Sequence, residues 1–186
     1  MKRVMKQQQE DVALGRFLSL VLRHNPAAAG IRLDQNGWAD VEALLAGVRR
    51  SGRQIDRAVL ERIVEENNKK RYQFNDDHTR IRACQGHSVA VDVELKRQEP
   101  PDLLYHGTAA HCVAGIMEQG ITRQTRQHVH LAADEETAEK VGRRHGKPVI
   151  LKVNAAAMAK DGYAFFCSDN GVWLCEQVPV QYISVG

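Results

Sequence analysis

Arg23 and His24 stand side by side and join a permanent cation to an imidazole that titrates near neutral pH. A guanidinium offers a planar fork that matches phosphate oxygens, and the imidazole can give or take a proton, so the pair could handle a phosphate ester. A pair of cations favoured by the dipole at a helix end accounts for the same two residues. Lys69-Lys70-Arg71-Tyr72 and Arg80-Ile81-Arg82 add positive charge further on. The first run also fits a solvated turn, whereas alternate positions of a strand would set Arg80 and Arg82 on one basic face. Tyr105-His106-Gly107-Thr108 reads as the end of a strand before a helix, where glycine permits close ligand approach beside a hydroxyl and an imidazole. A buried structural histidine is the alternative there. Thr125 to Leu131 places Arg126, His128 and His130 on one face of a strand, a poor surface for a core and a good one for an anion. His128 and His130 lack a third ligand at a recognisable spacing, so no metal site is expected.

The elements that must position these groups follow from spacing. Leu14, Phe17, Leu18, Val21 and Leu22 recur at helical period within Asp11 to Arg23, and Pro26 with Gly30 closes that helix. A second helix is expected from Asp40 to about Val48. A third runs from Asp56 to about Glu66, with Asp56 as N-cap and Val59, Leu60, Ile63 and Val64 as its apolar stripe. Arg71 to Phe74, a turn at Asn75 to His78, and Thr79 to Cys84 predict a β-hairpin. Three helices and a hairpin follow the order of a winged-helix module.

Pro100-Pro101 ends a polar stretch and predicts a domain boundary near residue 99, dividing the chain into 1–99 and 100–186. Beyond it, strand-like runs at Leu103 to His106, His128 to Leu131, Val149 to Val153, Tyr163 to Cys167, Val172 to Cys175 and Val180 to Ile183 alternate with helix-like Ala109 to Glu118 and Asp134 to His145. The class expected is α+β with mainly antiparallel pairing. No G-x-G-x-x-G opens a βαβ unit and no phosphate-binding P-loop motif is present, so a dinucleotide would need another kind of site.

With 186 residues, 43% hydrophobic and 26% charged, the composition is that of a globular chain with one good core or two small ones. Residues 1–99 hold 18 Lys and Arg against 14 Asp and Glu, while residues 100–186 hold 8 against 9. The positive excess therefore lies in the first half, as a polyanion partner or a mildly basic surface would have it. Cys84, Cys112, Cys167 and Cys175 are scattered without a C-x-x-C pair, which predicts reduced and mostly buried thiols. Met1 to Asp11 is polar, and no window approaches the roughly 20 apolar residues of a membrane span, so a cytoplasmic location is expected; a monomer is the expected state.

Six blocks in order carry a resemblance: Leu22-Arg23-His24, Lys70-Arg71-Tyr72, Ile81-Arg82-Ala83 with Gln85-Gly86-His87-Ser88, Tyr105-His106-Gly107-Thr108, Arg126 with His128-Val129-His130-Leu131, and Asn170-Gly171-Val172-Trp173-Leu174. Together they resemble the KptA family of RNA 2′-phosphotransferases, from about residue 12 to residue 184.

The resemblance implies an N-terminal winged-helix RNA-binding lobe, a C-terminal NAD-binding lobe of the ADP-ribosyltransferase fold, and an active site in the cleft between them. It implies NAD as co-substrate, no metal, and RNA carrying an internal 2′-phosphate, which is tRNA-like in eukaryotic relatives. Carried over by position, the catalytic residues are Arg23, His24, Arg71 and Arg126. The cofactor-binding residues are His106, Gly107, Thr108 and His130, with Gln85, His87 and Ser88, and the phosphate contacts are Arg23, Arg71, Arg82 and Arg126. Related enzymes that modify protein side chains carry a glutamate on a late strand; here Glu176 is available, and Val178 matches the family's apolar position. A winged-helix DNA-binding regulator would also explain the basic first half, but it gives Arg23 and His24 no reason to pair with Arg71 and Arg126, and its third helix would be more basic than Asp56 to Glu66. An enzyme that leaves ADP-ribose on a nucleic-acid phosphate terminus would share most of the site.

Overall fold

The computed structural model describes residues 2–67 and 69–186, with side chains from residue 7 onward; Met1, the first residue of the expected polar start, lies outside them. The chain forms two compact units that meet in sequence between Glu94 and Leu95, each with its own apolar core.

In the first unit, α1 (Lys2–Arg23) begins well before the expected Asp11. Apolar periodicity reports only the part of a helix that is packed, and the preceding Gln7 to Glu10 are exposed residues with good helix propensity. Leu18, Val21 and Leu22 on α1 are fully buried against Leu44 and Leu45 of α2 (Val41–Arg50), Leu60 of α3 (Arg57–Glu65) and Ile81. A bidentate ion pair from Arg62 to Asp11, at 2.9 and 3.1 Å, ties α3 to α1. Asp40 and Asp56 cap α2 and α3 by accepting from Ala43 N at 2.7 Å and Val59 N at 2.8 Å. Asp56→Ala is expected to cost about 1 kcal/mol, read as a lowered urea midpoint with an unchanged slope.

The hairpin is present as β2 (Tyr72–Phe74) and β3 (Arg80–Ala83), joined by a five-residue loop and registered Tyr72 to Ala83. A further strand that periodicity did not announce, β1 (Ala39–Asp40), pairs with β3, so the antiparallel order is β1-β3-β2. Two residues are too few to show alternation.

The second unit holds three antiparallel sheets. The largest joins β4 (Leu103–Ala109) to β7 (Pro148–Asn154), and β7 to β11 (Ile183–Val185). Another has the order β6-β9-β8, from Val129–Leu131, Trp173–Cys175 and Phe166–Cys167, and β5 (Ile121–Thr122) pairs with β10 (Gln177–Val178). Reciprocal hydrogen bonds between Tyr105 and Ala132, at 2.9 and 2.8 Å, connect β4 to the chain just after β6. Helices α4 (Val113–Gln119), α5 (Glu135–Gly142) and α6 (Ala155–Lys160) complete a mixed α/β arrangement of the α+β kind.

Several boundaries differ from expectation. Val180 to Ile183 is a 3-10 turn over Val180–Tyr182, preceded by an extended Pro179, before the strand begins. Only Phe166–Cys167 of the Tyr163 to Cys167 run is strand. Helix α6 follows an apolar strand directly and is capped by Asn154, whose side chain accepts from Ala157 N at 3.0 Å. None of the four cysteines is in a disulfide, but only Cys84 and Cys175 are buried; Cys167 is half-buried and Cys112 exposed. Among the described residues no helix is long and apolar enough to cross a membrane.

Candidate active site

The first unit sets Arg23 in the last turn of α1 and His24 just beyond it. A helix end leaves carbonyls without intrahelical partners. Here the chain returns to satisfy one of them: the Arg23 carbonyl accepts from Ser88 N at 2.9 Å and Val89 N at 3.3 Å. The same serine holds His24, with Ser88 Oγ 2.9 Å from His24 Nδ1. Arg71, just before β2, donates from NH1 to Asn67 Oδ1 at 3.2 Å. Beside it the buried Tyr72 hydroxyl meets Ser19 Oγ at 2.5 Å and donates to the Gly15 carbonyl at 2.6 Å. Burial raises the Tyr72 phenol, against the Ser19 hydrogen bond and the charges of Arg23 and Arg71, so both guanidinium groups lie within electrostatic reach of one phenol. Arg23 and Arg71 thus both act on Tyr72, and His24 stands next to Arg23 at the helix end, although 47 residues separate His24 from Arg71.

The basic face expected from Arg80 and Arg82 is not formed. Arg80 is paired with Asp34 at 3.0 Å. Arg82 lies over the Trp38 ring, 4.4 Å from its centre, and its NH1 reaches Asn36 O at 3.4 Å and Glu94 at 3.3 Å. Alternation put both arginines on one side of the strand, but local carboxylates and an indole take up their charge.

His87 is only 1% exposed. One ring nitrogen bonds the Leu22 backbone; Nε2 has no hydrogen-bond partner among the described residues and faces Gly37. Burial first, then the charges of Arg23, His24 and Arg82, lower its pKa from 6.5 to about 4, so His87 is neutral at physiological pH. An unfolded chain takes up this proton first as pH falls. The stability tied to a neutral His87 is therefore complete above about pH 6.5 and is lost towards pH 4, about 3 kcal/mol in all. Chemical denaturation at several pH values is expected to show this loss, and His87→Asn to flatten it.

In the second unit, His106, Gly107 and Thr108 lie inside β4, which continues to Ala109, and not at a strand end. His106 Nδ1 donates to the His130 carbonyl at 3.2 Å, fixing the tautomer of the ring. Burial lowers the His106 pKa, its bond to His130 opposes this, and the Arg126 and His145 charges add to it. Arg126 is not on a strand, since β6 begins only at Val129 and the preceding residues bend. Its NH1 nevertheless reaches His130 Nδ1 at 3.4 Å. His128 leans on the Phe166 ring, 5.9 Å between centres, and does not share a strand face with Arg126. Thr108 is buried. The space beside Gly107 is filled by the Ala138 carbonyl of α5, so at this glycine the close approach is to a helix. His145, the end of an expected helix and not a candidate site residue, adds charge near His106, and the basic run Arg143-Arg144-His145 is the signal for it. Among the described residues no group of three or more His, Cys, Asp or Glu is placed to hold a metal ion.

Guanidinium and imidazole groups converge in each unit, one set at a helix end and the other beside a sheet, which is the equipment of an enzyme that acts on a phosphate ester. Residues 9–177 match the model of the family described as RNA 2′-phosphotransferase, Tpt1/KptA family. The chain is 53% identical to a protein of Fusobacterium nucleatum named Probable RNA 2′-phosphotransferase over 174 residues, 93% of this chain and 97% of that one. Proteins of the same name from Flavobacterium johnsoniae and Burkholderia pseudomallei are 48% and 51% identical, covering 94% and 90% of this chain and 97% and 91% of theirs. The chain is therefore a transferase, and it belongs to the Tpt1/KptA family of RNA 2′-phosphotransferases.

Proposed function

We propose that this protein moves an internal 2′-phosphate from RNA onto the ADP-ribose part of NAD. In the first step a 2′-phosphate oxygen bonds to the anomeric carbon of the nicotinamide ribose, and the bond to nicotinamide breaks. In the second, the 2″-hydroxyl oxygen attacks the phosphorus, the bond to the RNA 2′-oxygen breaks, and that oxygen takes a proton. The products are 2′-hydroxyl RNA, nicotinamide and ADP-ribose 1″,2″-cyclic phosphate. In this reading the first unit is a winged-helix RNA-binding module, with β2 and β3 as its wing, and the second has the ADP-ribosyltransferase fold.

The observation that carries the reading is that Arg23 and Arg71 both lie within electrostatic reach of Tyr72, with His24 next to Arg23 and held by Ser88. Fixed guanidinium donors suit a phosphodiester on which charge develops during the second step. Arg23, Arg71 and Arg126 are assigned to the phosphate, and His24 to proton handling in the transesterification. Arg82 is assigned a supporting phosphate role, tempered by its contacts with Trp38 and Glu94. His106, Gly107, Thr108 and His130 are assigned to the nicotinamide half of NAD, with Gln85 as further lining; His87 and Ser88, expected in the same set, bond instead to Leu22, Arg23 and His24 at the end of α1. The donor set of His106, Thr108 and His130 fits the amide and hydroxyl groups of a nicotinamide riboside. The first step starts from an anionic nucleophile, so it makes little demand for a general base, in keeping with the buried apolar Val178 at the late-strand position.

The test is incubation with NAD and a short RNA bearing one internal 2′-phosphate, followed by chromatography of RNA and nucleotide products. NAD-dependent loss of the phosphate with formation of the cyclic phosphate supports the reading. Retention of the phosphate, or ADP-ribose left on the RNA terminus, refutes it.

A further inference from the structure

Resting on the reading that His24 handles a proton in turnover, we propose that Ser88 is a positioning residue that holds the His24 ring and assigns its tautomer. Two contacts from one residue support this. The Ser88 backbone N–H caps the Arg23 carbonyl at 2.9 Å, while its hydroxyl stands 2.9 Å from His24 Nδ1. The serine thus grips both the backbone from which His24 departs and the ring itself, removing rotational freedom at each end of that side chain. Such a double hold is what a reacting imidazole needs, because a ring that samples several rotamers or both tautomers is competent only part of the time.

Ser88 is in turn held by its neighbour. His87 is buried and bonds the Leu22 backbone, one residue before Arg23, so the His87-Ser88 pair is fastened to consecutive residues of the last turn of α1. His87 stays neutral through the physiological range, which suits a fixed hydrogen-bonding group and not a proton carrier. We assign the hydroxyl as acceptor from His24 Nδ1–H, so that proton exchange falls to Nε2. The charged or titratable groups that act on this end of α1 include Arg23, Arg71, His87 and Arg82.

The test pairs a spectroscopic readout with turnover. In protein labelled with ¹⁵N at histidine, the His24 ring nitrogens are expected to report the Nδ1–H tautomer in the wild type and a mixture in Ser88→Ala, with Ser88→Thr restoring the wild-type signal. With NAD and 2′-phosphorylated RNA, Ser88→Ala is expected to lower kcat roughly three- to tenfold with KM for NAD little changed, and Ser88→Thr to recover most of it. Unaltered His24 nitrogen signals in Ser88→Ala would overturn the inference. So would a loss confined to KM for NAD, which would make Ser88 a ligand contact. The nitrogen signals are read without substrate, so an inactive wild type would count against the proposed reaction and leave this measurement intact.

Discussion

Arg71→Ala and Arg126→Ala are each expected to lower turnover by about a hundred- to a thousandfold, with little change in KM for NAD. The effect falls on the chemical step because a phosphodiester under attack gains charge on its equatorial oxygens, and a preset guanidinium meets that charge without reorganising. Arg71 is preset by its bond to Asn67, and Arg126 by its approach to His130. Substitution by lysine is expected to restore only a minor part, since a point charge does not replace a planar fork. The distinction to look for in single-turnover experiments is which step fails. If the arginines serve the second step, nicotinamide is released while RNA joined to ADP-ribose through its 2′-phosphate accumulates. Normal turnover by Arg23→Ala or His24→Ala would remove the assignment altogether.

How much of this site could be read in advance depends on what placed each residue. Arg23 and His24 were legible because apolar periodicity of α1 runs up to Leu22 and Pro26 stops it, which puts the pair at a helix end. Arg71 was legible as a hairpin residue, but the Tyr72 phenol that it shares with Arg23 is placed by reaching across to Gly15 and Ser19, a contact over more than 50 residues that no local pattern encodes. The alternation of Arg126, His128 and His130 predicts a strand through all three; the strand starts later, and the arginine meets His130 from a bend. Ser88 was visible only as part of a motif, since its role comes from a backbone return over 64 residues. Short strands such as β1, β5 and β10 were illegible, because two residues cannot display a period.

Gly107 makes the same point through packing, and Gly107→Ala is expected to be among the most damaging single-methyl changes in the second unit. A Cβ at this position would stand 1.7 Å from the Ala138 carbonyl oxygen, 2.5 Å from its carbon and 3.0 Å from Gly142 N. All three atoms belong to the backbone of α5, so no side chain can rotate away, and β4 and α5 must separate. Overpacking that side chains can absorb costs about 1–3 kcal/mol, and a rigid backbone clash is expected to exceed about 3 kcal/mol. The protein carries its own reporters, because its two tryptophans, Trp38 and Trp173, lie one in each unit. In single-tryptophan backgrounds, urea unfolding followed at Trp173 is expected to shift strongly to lower denaturant. Gly115→Ala supplies the contrast: nothing lies within 4 Å of its added methyl, and alanine in helix α4 is expected to be neutral or to stabilise by up to about 1 kcal/mol. If Gly107 served only to admit a ligand, its alanine variant would keep the stability of wild type and lose affinity for NAD. The position of the Ala138 carbonyl argues for the opposite order, in which the strand bearing His106 and Thr108 loses its support first and NAD binding is lost as a consequence.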